Sequence, residues 1–134
     1  MDANRIGAQL PDRFGGILLG ELIGANMNST SDQQIVIFSA PAKYIIRRIV
    51  ATNASISLTT AVGGIYTAVS KGGTAVVANS QAYSTLSAGT KFLDLTLASN
   101  TDYRTATSLY LSLTTPQGAA ATADIFVYGD IVTL

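Results

Sequence analysis

The chain of 134 residues contains no cysteine and no histidine. Without cysteine it has no disulfides, no thiolate nucleophile and no cysteine metal site. Without histidine it lacks the commonest general base and the commonest ligand of transition metals. We therefore expect a protein that is not an enzyme, with no catalytic residues, no cofactor and no bound metal. A scaffold or a component of an assembly fits this composition better.

Charged side chains are also scarce. They make up 12% of the chain, and eight acidic residues balance eight basic ones. A net charge of zero argues against a protein that binds nucleic acid through bulk charge. The 48% of hydrophobic residues excludes a disordered chain. Serine, threonine, asparagine, glutamine and glycine supply the polarity, and such a surface packs against neighbours at little cost in desolvation.

The first residues contain no pattern for export or membrane insertion. Asp2, Pro11 and Arg13 interrupt any apolar core that a secretory signal would need. The longest apolar stretch in this region, residues 15–19, is far shorter than the roughly 20 residues of a membrane helix. We expect a chain made in the cytoplasm that does not contact a membrane. Residues 1–14 are predicted to form a polar arm.

From residue 15 onward the hydrophobic pattern predicts short strands and no helix. Leu109, Leu111 and Leu113 alternate with polar residues and are predicted to face a core. Glycine pairs, among them Gly63 and Gly64, are predicted to form turns. The predicted strands are residues 17–23, 34–39, 43–52, 55–60, 65–70, 74–78, 81–86, 92–97, 108–114 and 123–134, the last with Ile125, Val127 and Ile131 on the core face and a bulge at Gly129.

These strands and the turns that follow roughly every 8 to 12 residues predict an all-β domain. Two packed antiparallel sheets are a common way to protect the edges of so many short strands. The sequence therefore predicts an antiparallel, jelly-roll-like β-sandwich. We expect a single domain over residues 15–134, preceded by the extended N-terminal arm of residues 1–14.

No group of acidic or basic residues forms a recognisable catalytic or ion site. Asp94 and Asp102 are the nearest pair for a glycosidase, but solvated acids at strand ends are the simpler interpretation. The loop 26–32 carries only one full negative charge, which is too little for a calcium site. Lys71 precedes two glycines, yet no helix follows that would bind a phosphate.

Two pairs of neighbouring residues are candidates for contact with a partner. Arg47 and Arg48 lie within a predicted strand and are expected on opposite faces. They either hold a carboxylate of a neighbouring subunit, or one is a surface residue and the other forms an ion pair within the chain. Tyr103 and Arg104 lie in the polar stretch 98–107 and are predicted to form a contact tip, although β-sheets favour tyrosine in any case.

Three segments resemble a known class of proteins. They are residues 51–66 (ATNASISLTTAVGGIY), 93–97 (LDLTL) and 109–115 (LYLSLTT). They look like the Ala/Thr/Gly-rich β-sandwich structural proteins of tailed-bacteriophage virions, commonly the head decoration or cement proteins. The resemblance covers about residues 43 to 134 and carries no functional residue across. It implies many copies on the capsid surface, contacts with the major capsid protein or other virion proteins, and a homo-oligomer, with a trimer favoured.

The resulting expectation is a capsid decoration protein that stabilises an assembled phage head through protein–protein contacts. Alternatives are a structural component of a phage tail, baseplate or fibre, and a carbohydrate-binding β-sandwich module. The absence of tryptophan argues against the last, because such modules use exposed aromatic platforms. The predicted partner-binding residues are Ile6, Leu10, Arg13 and Phe14 of the arm, together with Tyr103 and Arg104.

Overall fold

The described part of the chain consists of β-strands and connecting loops. A computed structural model describes residues 16–38 and 43–132, and within these ranges it contains nine strands and no helix. None of the described segments is therefore a helix long and apolar enough to cross a membrane. The strands are β1 (Ile17–Asn26), β2 (Gln33–Ile37), β3 (Tyr44–Thr52), β4 (Val62–Ala68), β5 (Gly72–Val77), β6 (Phe92–Asp94), β7 (Tyr103–Arg104), β8 (Ser108–Thr115) and β9 (Thr122–Ile131).

The strands pair in a nested order, from the two ends of the described chain towards its middle. β1 pairs with β9, β2 with β8, β3 with β6, and β4 with β5, always antiparallel. The full order is β5-β4-β8-β2-β1-β9-β3-β6, and β7 pairs with β3. The all-β, antiparallel prediction is confirmed. The jelly-roll part remains a prediction, which the nested pairing supports.

The sheet curls until its two ends meet. An isolated bridge joins Val77, at the end of β5, to Leu97, just beyond β6. Beside it, the Ala98 amide donates a hydrogen bond of 2.9 Å to the Val76 carbonyl. We call this junction the seam. Because the seam closes the sheet, the inner face encloses one hydrophobic core and the result is sandwich-like.

Strict alternation in β8 and β9 fills much of that core. Leu109, Leu111 and Leu113 are fully buried, as predicted, and so are Ile125 and Val127. Ile131 pairs with the buried Tyr44 but is 44% exposed, because it is the last residue of β9. The bulge predicted at Gly129 of β9 lies instead in the two strands that pair with β9. The register shifts after Leu18 in β1 and after Ile46 in β3.

Two predictions about the middle of the chain are wrong. Gly63 and Gly64 do not form a turn but lie inside β4, where their added Cβ atoms would overlap the backbone of β8 and β5. They are glycines because three strands approach closely there. Residues 55–60 form no strand. Their amides form isolated hydrogen bonds and not a ladder. The Ser55 amide donates to the Thr122 carbonyl and the Leu58 amide to the Leu86 carbonyl. The segment is therefore a loop, and it buries Leu58.

The predicted strand over residues 81–86 is also wrong. Only Ala82 pairs with a strand, through an isolated bridge to Val62. The Tyr83 ring is nevertheless fully buried, and its hydroxyl donates a hydrogen bond of 3.2 Å to the Gly63 carbonyl. This irregular segment thus covers the start of β4 with a single large side chain.

Candidate contact surface and polar pocket

The outward-facing side of β1, β9, β3 and β6 is richer in apolar side chains than a solvated sheet usually is. Adjacent strands align Glu21 with Phe126 and then with Val50. Antiparallel sheets commonly carry polar residues on the side that meets water. We call this surface, together with Val36 of β2, the outer face. Its members are Leu18, Glu21, Ile23, Val36, Arg48, Val50, Phe92, Asp94, Phe126 and Tyr128.

Several apolar members of the outer face are more than half exposed. Ile23 is 57% exposed, Val36 52% and Phe92 57%. Towards the centre, Val50, which lies between Phe126 and Asp94 of the neighbouring strands, is only 9% exposed. A single exposed apolar residue is ordinary, but a connected group on one side of a sheet indicates contact with a partner.

A bulge in β3 brings charged groups to this surface. The register with β9 shifts between Ile46 and Arg48, so that Arg47 and Arg48 are both exposed. The prediction that they lie on opposite faces is wrong for this reason. Each forms an ion pair within the chain, Arg47 through Nε with Asp130 at 2.8 Å and Arg48 with both oxygens of Asp94.

The ion pair of Arg48 stands beside an aromatic ring. Its guanidinium carbon lies 5.6 Å from the centroid of Phe92, which places the cation over the ring face. Asp94 and Phe92 belong to the same short strand, β6, and therefore project on the same side. The outer face thus ends at β6 in an aromatic ring flanked by a fixed pair of opposite charges.

A polar pocket of about 230 Å³ lies elsewhere, between β4, β5 and the β7 segment. Thr67 and Thr74 form one wall, and residues 103–106 form the other. The Thr74 amide donates a hydrogen bond of 2.8 Å to Oγ1 of Thr67. Because Thr67 already accepts this bond, its own hydroxyl proton remains available to a ligand. The lining therefore combines threonine residues with Tyr103 and Arg104 of β7.

Two cations are associated with the residues of this pocket. Lys43 Nζ lies 5.6 Å from the centroid of the Tyr103 ring. Arg104 belongs to the lining itself, and within residues 16–38 and 43–132 it forms no ion pair. Burial raises the pKa of Tyr44 to about 12, and the charge of Arg104 acts in the opposite direction. Tyr44 consequently stays neutral and donates its proton to the Ala106 carbonyl at 2.6 Å.

A second cavity, of about 290 Å³, opens at the seam. It is lined by alanines, Leu97 and uncharged polar residues, with no charged side chain among them. The side chain of Gln81 is already engaged, since its Oε1 accepts a hydrogen bond of 2.8 Å from the Thr96 amide. This cavity offers a ligand little beyond its shape.

The structure describes two of the six predicted contact residues. Tyr103 and Arg104 form β7 and pair with Ile45 and Tyr44, so they are not the tip of a free loop. Tyr103 is nevertheless 52% exposed, which leaves its ring accessible to a partner. The other four predicted contacts lie outside the described residues: Ile6, Leu10, Arg13 and Phe14.

Several of the acidic residues have structural roles. Asp94 and Asp130 pair with arginines, and Asp124 accepts hydrogen bonds from the Gly24 amide and from Asn53 Nδ2. In the loop 26–32, side-chain oxygens likewise accept from backbone amides. In the described ranges no group of three acidic, histidine or cysteine side chains is arranged to hold a metal ion.

Comparison with protein-family models, with curated proteins and with solved structures finds no match for this chain. A proposal for its function therefore depends on its own residues. Two of its features were not predicted from the sequence, namely the outer face and the threonines of the polar pocket. Alternation alone marked Phe126 and Tyr128 as outward-facing, but nothing local indicated that they join the residues of β1 and β6 on one surface.

Proposed function

We propose that this chain is a structural protein of a viral assembly that acts by binding other proteins through the outer face. The observation that carries the proposal is the number of apolar side chains that cross-strand pairing places on one side of β2, β1, β9, β3 and β6. Apolar side chains at the centre of an interface supply most of the affinity, and charged pairs at the rim supply register. The outer face has this arrangement, with the ion pair of Arg48 and Asp94 at the β6 edge.

The more specific form of the proposal is a decoration protein on the head of a tailed bacteriophage. Its support is the similarity of residues 51–66, 93–97 and 109–115 to such proteins, together with the nested strand pairing. Jelly-roll domains are common in viral capsids and in lectins, which is an argument by analogy of fold. Each copy would add a modest contact energy that symmetry multiplies over the whole shell.

Charged substitutions on the outer face test this proposal. Val36→Lys and Phe92→Lys each place a cation in the apolar surface at a position more than half exposed, so folding should be little affected. Cosedimentation with purified heads of the parent phage is expected to fall at least about tenfold for both variants, the loss from an unpaired charge at an interface. Far-UV circular dichroism and urea unfolding verify that both variants are folded.

Val69→Lys is the matched control. Val69 is equally accessible, at 56%, but it lies beyond the end of β4, in the turn that leads to β5. This variant should bind heads like the parent chain. If Val36→Lys and Phe92→Lys also bind like the parent, the outer face is not the interface. Binding to purified tails in place of heads would overturn the assignment to the head and favour a tail component.

A further inference from the structure

We propose that the polar pocket between β4, β5 and β7 is a binding site for a carboxylate, with Arg104 as its main ligand-binding residue. The proposal does not depend on the function proposed above, because the pocket is built from other strands than the outer face. It concerns a ligand of one chemical class, a planar carboxylate group, whether on a free acidic molecule or on an acidic side chain of a partner.

The charge of the pocket is the first argument. Arg104 belongs to the lining, Lys43 lies over the ring of Tyr103, and none of the lining residues is acidic. A guanidinium presents a fixed fork of donors that matches the two oxygens of a carboxylate. Asp102 directly precedes β7, but within the described ranges it forms no ion pair with Arg104.

The hydroxyl groups of the pocket are the second argument. Thr67, Thr74 and Thr105 all line it. A threonine hydroxyl donates one hydrogen bond, and a carboxylate accepts about four. The pocket therefore supplies the additional donors that a carboxylate needs once one oxygen pair is held by Arg104.

The size of the pocket suits a small group. Its volume is about 230 Å³ and it opens to solvent. A carboxylate with a short aliphatic stem or a single sugar acid fits inside it, and the rest of a larger ligand would remain outside. The exposed Tyr103 ring at the border offers an apolar surface against which a stem or a sugar ring can pack.

The pocket is also held in place before any ligand binds. β7 pairs with β3, which fixes Arg104 opposite Tyr44. The Tyr44 hydroxyl anchors the Ala106 carbonyl at 2.6 Å, and the Thr74 amide anchors Oγ1 of Thr67 at 2.8 Å. A preorganised site loses less conformational entropy on binding, so even a small ligand can bind measurably.

Titration followed by amide NMR tests the proposal on the full chain. The probes are N-acetylglutamate α-amide, with one carboxylate, and N-acetylglutamine α-amide, its neutral counterpart. Only the first is expected to shift the amide signals of Thr67, Thr74 and Thr105. Arg104→Gln should weaken this binding about tenfold or more. Lys91→Gln, which removes an exposed cation outside the pocket lining, should leave the affinity unchanged.

Two further probes define the ligand. Glucuronate and its neutral counterpart glucose repeat the comparison with a sugar. If either carboxylate binds more tightly than its neutral counterpart, the site is supported. The pair that shows the difference tells whether the carboxylate comes from an amino acid side chain or from a sugar acid. Inorganic phosphate that binds as tightly as the carboxylates would overturn the assignment to a carboxylate. The absence of pocket shifts with any acidic probe, or equal affinity in Arg104→Gln, would overturn the site itself. None of these outcomes bears on the head-binding test, because that test changes residues outside the pocket.

Discussion

At the scale of single residues, Gly129 shows how closely three strands approach each other. It lies in the central strand β9 and pairs with Ile17 of β1 on one side and Ile46 of β3 on the other. An added Cβ would overlap the Ile45 carbonyl and would lie 2.8 Å from Leu19 Cδ1. Because the carbonyl belongs to the backbone of β3, the clash cannot be relieved by a change of rotamer.

We therefore expect Gly129→Ala to lower the free energy of unfolding by about 1–3 kcal/mol or more. Urea denaturation measures this change. Gly89→Ala is the matched control, because Gly89 is exposed in a loop and its added Cβ would lie 3.1 Å from the Ala54 carbonyl. The control should cost clearly less. If both variants had similar stabilities, the close approach of β3 and β9 would not be a constraint on this position.

A second prediction at this scale concerns stability in alkali. Burial raises the pKa of Tyr44 to about 12, and burial also raises the pKa of Tyr83. In the unfolded chain both pKa values are about 10. Above that pH the unfolded state loses protons that the folded state keeps, so the free energy of unfolding falls as pH rises. Each such group contributes a decline of up to about 1.4 kcal/mol per pH unit between the two pKa values.

Tyr44→Phe removes one of these two groups. At pH 7 this variant should be less stable by about 1 kcal/mol, since it loses the hydrogen bond to the Ala106 carbonyl. Between pH 10 and pH 12 its stability should fall less steeply than that of the parent chain. Urea midpoints across this range give both quantities. A decline that is equally steep in both proteins would contradict the role of Tyr44.

At the scale of the strands, alternation predicted those elements that have one buried and one solvated face. Leu109, Leu111 and Leu113 fix β8, and Ile125 and Val127 fix β9, because a shift of one residue would turn every apolar side chain outwards. Here the local pattern and the global packing agree. The boundaries of β8 and β9 accordingly lie close to the predicted ones.

Where packing overrides local signals, the prediction from sequence failed. A Gly-Gly pair usually forms a turn, but Gly63 and Gly64 are needed inside β4 for the contact with β8 and β5. Residues 55–60 alternate like a strand, yet their backbone finds only single hydrogen bonds, one to Thr122 at the start of β9 and one to Leu86 in a loop. Both outcomes depend on which strands become neighbours, which the local sequence does not specify.

The candidate sites illustrate the same limit. Tyr103 and Arg104 were recognised from their residue types, and they do border a pocket. Thr67 and Thr74 complete that pocket only because the sheet curls and brings β4 and β5 against the β7 segment. Similarly, the intrachain ion pairs of Arg47 and Arg48 follow from a bulge in β3, for which these residues alone give no signal.

At the scale of the whole molecule, nested pairing makes the described residues a closed unit. β1 begins at Ile17 and pairs with β9, so the two ends of the described chain lie side by side. The seam joins the remaining ends of the sheet through Val77 and Leu97. All nine strands that surround the core thus lie between residues 17 and 131. We therefore expect residues 17–131 to fold without residues 1–14, so that a contribution of residues 1–14 to binding can be measured separately.

A variant that lacks residues 1–14 tests this separation. Because β1 begins at Ile17, we expect the truncated chain to unfold in one cooperative transition and to keep the circular dichroism of the parent chain. If the arm also supplies contacts, as predicted for Ile6, Leu10, Arg13 and Phe14, the same variant will no longer cosediment with phage heads. Full retention of head binding would contradict the arm contacts and leave the outer face as the interface. Loss of the cooperative transition would instead show that residues 1–14 contribute to the fold itself.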